Sequence, residues 1–178
     1  MAHHMDDKGG DGLEDNAHED IATCASATIK VFVKMGKTRP IFEELPVRQL
    51  SETTYKLLAS PGVALNLAKG DIIEIVDQHK APVVLKRGGN FCIQIYSETL
   101  SKEDIEQLEN EVATRLGGTL DGVYRGNLAL SIPATAGMDN INAVFDQFRQ
   151  RTGVEYYYCN VYKNLDDLND ETLLNWWL

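Results

Sequence analysis

The side chains with the chemistry to act as nucleophiles, bases or metal ligands include three cysteines, four histidines and 27 acidic residues. His3, His4 and His18 fall near the N-terminus, and His79 sits in a turn between two strand-like runs. No two histidines meet in a folded body, so metal sites and histidine-based triads both lack parts. His79 reads as an exposed turn residue. Cys92 shares its expected strand face with Gln94 and Tyr96, neither of which lowers a thiol pKa, so it reads as structural. Arg87-Gly88-Gly89-Asn90 precedes a strand and not a helix, which fails the context of a phosphate-binding loop. The acids Glu103, Asp104, Glu106, Glu109 and Glu111 form the solvated side of a helix, and Glu43-Glu44 stand without a facing partner. Acid–base work needs carboxylates opposed across a cleft. The expectation is a chain that is no enzyme, with no catalytic residues, no metal and no cofactor.

Residues suited to binding gather at the C-terminus. Asp166, Asp167, Asp170 and Glu171 alternate with leucines, and Trp176 and Trp177 nearly end the chain. Burying one Trp or Leu side chain contributes about 1.5–3 kcal/mol, so these groups need cover. Either the tail folds back as a short helix and completes the core, or these acids and tryptophans dock a partner protein, as aromatic anchors do at interfaces. Gly70 and Asp71 form a structural turn: glycine allows an unusual φ, and aspartate accepts from nearby backbone N–H groups.

Residues 90–163 supply the frame. Phe91, Ile93 and Ile95 alternate with Cys92, Gln94 and Tyr96, the pattern of a strand with one buried face. Ser101 and Asp104 make a capping box, and Ile105, Leu108, Val112 and Leu116 form a helical stripe ended by Gly117-Gly118. Residues 120–125 and 128–132 pair across Gly126-Asn127, with Leu128, Leu130 and Ile132 inward. Asp139 or Asn140 caps a second helix bearing Ile141, Val144, Phe145 and Phe148; Gly153 closes it, and 154–162 is a tyrosine-rich strand. This βαββαβ order predicts a ferredoxin-like sandwich with both helices on one face of an antiparallel sheet.

The outward residues Ala129 and Ser131 offer no aromatic platform for bases. Their small size suits cover by another layer: the β unit, the tail or a second copy of the chain.

Ahead of this frame, residues 28–35 alternate as a strand. Residues 41–50 make a second, broken or edge-located at Pro46. Residues 51–58 fit a short strand or a helical turn equally. Ser60-Pro61-Gly62 turns the chain, 63–68 is a short apolar loop, and strands follow at 72–77 and 82–86. The fold class is therefore α+β: a small β barrel or curled sheet packed on the ferredoxin-like unit. The division is 1–27 (disordered and acidic), 28–89 (β unit), 90–163 (ferredoxin-like unit) and 164–178 (acidic and aromatic tail).

The Ser60-Pro61 loop, the run Gly70-Asp71-Ile72-Ile73-Glu74 and the strand 128–133 resemble a family of bacterial proteins catalogued as a domain of unknown function. The pattern from Ile132-Pro133 through Gly153 to Tyr158 adds to the likeness, which spans 28–162. The resemblance implies no activity.

The net charge of −10 divides into −6 over residues 1–20, −4 over 164–178 and a neutral body. A neutral body lacks the basic footprint of a nucleic-acid partner. No apolar run is long enough to cross a membrane, no signal peptide precedes the body, and residues 1–5 read as an expression remnant before a start at Met5. Three scattered cysteines suit reduced thiols, so a cytoplasmic protein is expected. The expected function is binding of another, basic protein, as an immunity or antitoxin inhibitor would. The alternative is a small-molecule-sensing module with its pocket between the two units.

Overall fold

The computed structural model describes residues 26–167 and 169–178. The acidic N-terminal segment expected to be disordered, with His3, His4, His18 and Cys24, lies outside the described residues. The chain is α+β, with two antiparallel sheets and two α-helices.

The first sheet is a meander of β1 (Ser26–Met35), β2 (Pro40–Gln49), β3 (Thr54–Leu57), β4 (Ile72–Glu74) and β5 (Val83–Lys86), paired in that order. It stays open, so of barrel and sheet it is the sheet that forms. Period-two alternation buries Val31, Leu45, Val47, Leu57 and Ile73 on one face. Residues 54–57, left between strand and helical turn, are strand. Pro46 neither breaks β2 nor marks an edge. Its carbonyl accepts from Leu58 N–H at 2.9 Å, so its imino nitrogen lies on the β3 side, one step beyond the Val47–Leu57 rung. The reciprocal bond to the Leu58 carbonyl is absent, and it falls just past the end of the β2–β3 ladder.

The second sheet holds β6 (Asn90–Ile95), β7 (Thr119–Tyr124), β8 (Asn127–Pro133) and β9 (Tyr157–Tyr158) in the order β7-β8-β6-β9. Helices α1 (Lys102–Glu111) and α2 (Met138–Thr152) pack on one face. Phe91, Ile93, Leu128 and Leu130 meet Leu108, Val112, Phe145 and Phe148 there. The Ser101–Asp104 capping box starts α1, and a π-helical turn over Val112–Leu116 ends at Gly117, whose φ is 66°.

Several joints differ from expectation. The β7–β8 turn is Arg125-Gly126, both left-handed (φ 49° and 83°), one residue earlier than Gly126-Asn127. Helix α2 begins from Gly137 without a side-chain cap; Asp139 lies inside its first turn, where it complements the helix dipole. β9 is two residues long instead of nine. Beyond Cys159 the side chain of Asn160 takes over the ladder, its Oδ1 accepting from Cys92 N–H and its Nδ2 donating to the Asn90 carbonyl, both at 2.9 Å.

β6 is buried on both faces, because the loop 58–71 of the β unit covers the face expected to take another layer. Ala64 and Leu67 enter the core of the first sheet while Ala68 packs on Cys92 and Cys159. Gln94 Nε2 donates to the carbonyls of Pro61 and Ala64 at 2.9 and 3.0 Å. Carboxylates satisfy much of the loop's backbone. Glu43 accepts from the N–H groups of Gly62, Val63 and Ala64, Asp121 from Ser60, and Asp71 from Ala68.

Among its described residues the tail forms no helix. It doubles back through a bridge between Tyr162 and Leu173. Trp176 and Trp177 then lie on Phe91, with ring centroids 5.0 and 5.3 Å away. Among the described residues no helix is long and apolar enough to cross a membrane.

Candidate functional site

Three consecutive tyrosines close the second sheet, Tyr156 leading into the edge strand β9 and Tyr157 and Tyr158 forming it. Alternation sends Tyr157 to the face of Gln94 and Tyr96, its ring centroid 6.0 Å from that of Tyr96. Tyr156 and Tyr158 turn toward the helices. The returning tail runs beside this edge, and between them lies a cleft of about 490 Å³. Its wall includes the five tyrosines Tyr96, Tyr156, Tyr157, Tyr158 and Tyr162, with Leu65 and Leu165. Asp167, Asp170 and Glu171 complete it, and among the described residues no lysine or arginine lines it.

Hydrogen bonds fix several rings at their tips. Tyr156 O–H donates to Asp146 at 3.0 Å, Tyr158 O–H to Asn142 at 2.8 Å, and Tyr96 O–H to Gln94 Oε1. Burial, first among the causes, raises the pKa of all three phenols, that of Tyr156 to about 12. They stay neutral at ordinary pH, as donors and π faces and not as bases. Asp170 is held below the usual carboxylate range by the Thr172 hydroxyl and N–H, so it is ionised. The arrangement can hold a ligand in an aromatic, negatively charged slot.

The residues singled out in the tail divide. Asp167, Asp170 and Glu171 meet at the cleft, whereas Asp166 is exposed outside its lining. Trp176 and Trp177 belong to the body's own packing, Trp176 Nε1 donating to the Asn160 carbonyl at 2.7 Å. Gly70, at φ 88°, and Asp71 sit in the interlayer turn. Asp71 is buried, pairs with Arg87 at 3.0 Å and accepts from Gly88 N–H at 2.8 Å. Burial pushes its carboxyl up, against the pull of Gly88 N–H and Arg87.

Sequence reasoning missed the tyrosine cleft and a polar cluster. The tyrosine run was visible, but its cover comes from a tail expected to be helical. In the cluster, Ser131 O–H donates to Asp121 Oδ2, so the 2.6 Å contact between the two serines carries the Ser60 proton. Lys69 Nζ lies 3.7 Å from Asp121 Oδ1. Ser60 and Ser131 are only 4% and 2% exposed, so no substrate reaches either hydroxyl, and the cluster ties the loop to β8. The Cys92 thiol is pushed well up by its hydrogen bond with Cys159 and by burial, which disfavours a nucleophilic thiolate. His79 is exposed beside Asp77. Among the described residues no three His, Cys, Asp or Glu side chains converge as a metal site requires.

A family described as "Domain of unknown function (DUF4265)" matches residues 43–156, more than half of the chain. The match agrees with the resemblance carried by the Ser60-Pro61 and Gly70-Asp71 motifs, and it stops short of β9 and the tail. No curated protein matches. Among solved structures, a hypothetical protein from Neisseria gonorrhoeae is similar at 16% identity, over 76% of this chain and 94% of that one, with a TM-score of 0.54. That likeness concerns the fold alone.

Proposed function

The chain belongs to the DUF4265 family of unknown function, and from that premise we propose a non-catalytic binding module whose site is the tyrosine cleft beside β9. One observation carries this reading: a cleft of about 490 Å³ with five tyrosines in its wall. That volume lies within the roughly 300–1,000 Å³ of small-molecule sites, which are mostly apolar and hold a few fixed polar groups. The cleft is framed by β9 and the tail and borders the β unit through Leu65 of the loop 58–71.

A thermal-shift screen of small metabolites tests it. A specific ligand raises the melting temperature by mass action. The shift should vanish in Tyr157→Ala, whose side chain is half exposed and outside the core. A panel without any shift, or a shift that survives Tyr157→Ala unchanged, removes the cleft as the site.

The competing reading is an acidic inhibitor of a basic protein. It draws on the charge of the tail, and it loses its two proposed anchors, since Trp176 and Trp177 lie on Phe91. A partner protein that binds with micromolar affinity and is lost on neutralising Asp166, Asp167, Asp170 and Glu171 would favour it over the cleft.

A further inference from the structure

We infer that the ligand of the tyrosine cleft is a small alkylated ammonium cation, free in solution; this rests on reading the cleft as a binding site. Tyrosine faces carry the negative end of a ring quadrupole and attract a cation held within about 6 Å of the centroid. Five tyrosines contribute to the lining, Tyr96 and Tyr157 from one face of the sheet and Tyr156 and Tyr158 from the edge, where their rings turn to the helices. The rings of Tyr96 and Tyr157 stand 6.0 Å apart with planes inclined by 44°, a contacting pair that forms one side of the wall.

Charge points the same way. Asp167, Asp170 and Glu171 contribute three carboxylates to the lining, and among the described residues no lysine or arginine lines the cleft, Lys163 acting on Asp170 from beside it. An anion is repelled on approach, and a neutral ligand without hydrogen-bond donors gains little from those groups. The phenol O–H groups of Tyr96, Tyr156 and Tyr158 donate to Gln94, Asp146 and Asn142. Their rings are thus held in place before a ligand arrives, which limits the ordering that binding requires. An alkylated ammonium suits these walls, because its methyl groups present charge without hydrogen-bond donors and lie flat on ring faces and on Leu65 and Leu165.

The test titrates the full chain with choline and with its neutral isostere 3,3-dimethylbutan-1-ol, following heat or melting temperature. Choline should bind at least about tenfold more tightly than the isostere. Its affinity should fall with added salt, since exposed carboxylates are screened. The variant Asp167→Asn, Asp170→Asn, Glu171→Gln should lose most of that preference, and Tyr157→Ala should weaken choline while circular dichroism stays unchanged. Equal binding of the isostere, or undiminished choline binding by the charge-free variant, overturns the inference. A neutral or anionic ligand that saturates the cleft in a Tyr157-dependent way while choline does not would sink the cation and leave the cleft standing. If nothing binds in a Tyr157-dependent way, both fall. A trimethyl-lysine peptide binding far more tightly than choline would overturn the assignment to a free solute.

Discussion

Glu43 and Glu44 look alike in the chain and do different work. Strand alternation turns Glu43 toward the loop, where its carboxylate takes three successive backbone N–H groups at 2.5–3.1 Å, while Glu44 pairs loosely with Lys30 at 3.8 Å in solvent. The pair was visible, but not the partners of Glu43, which lie about twenty residues on in a loop without periodicity. Charge-assisted hydrogen bonds contribute more than neutral ones. Glu43→Ala is therefore expected to cost about 1.5–3 kcal/mol in urea unfolding, against less than about 1 kcal/mol for Glu44→Ala. Tyr156 carries a pH prediction. Its phenol titrates near 12, above the ordinary 10, so the folded state keeps the proton longer than the unfolded one. Its contribution to stability is complete below pH 10 and fades as pH rises from about 10 to about 12. Alkaline unfolding of Tyr156→Phe should accordingly show a weaker loss of stability across that window than the parent.

At the scale of elements, most of what could be read locally was read correctly, the β7–β8 turn and the α2 cap excepted. The capping box of α1, the apolar stripes of both helices and the alternation of β6 and β8 each depend on residues within one turn or one strand, and they form as expected. What depends on distant partners was lost. The last strand was expected over nine residues because its tyrosines suit a sheet, yet its pairing ends where Asn160 inserts its amide between Cys92 and Asn90. An asparagine in a strand-like run does not announce that role. Asn160 is fully buried. Its replacement by alanine strands a backbone donor and an acceptor, each costing about 1–3 kcal/mol. Asn160→Ala should therefore destabilise by more than the Glu43 variant, and amide exchange of Cys92 should accelerate.

For the whole molecule, two sheets are bound through a loop, and that loop decides what is open. It fills the crevice where a pocket was expected and seals the outer face of β6 with Gln94, Ser131 and Cys92. Openness survives at the far edge, along β9, where the tail supplies acids to tyrosines already in place. Composition gave the parts of this site, an acidic tail and a tyrosine run, without their meeting, because the return through Tyr162 and Leu173 is a single bridge with no sequence period. The most direct measurement uses the seven tyrosines as reporters, five in the cleft and Tyr55 and Tyr124 outside it. With tyrosine rings isotopically labelled, choline is titrated into the full chain and the ring resonances are followed. Saturable shifts at Tyr96, Tyr156, Tyr157, Tyr158 and Tyr162, with Tyr55 and Tyr124 still, are the predicted result; shifts at Tyr55 or Tyr124 alone, or none in the cleft, contradict the account.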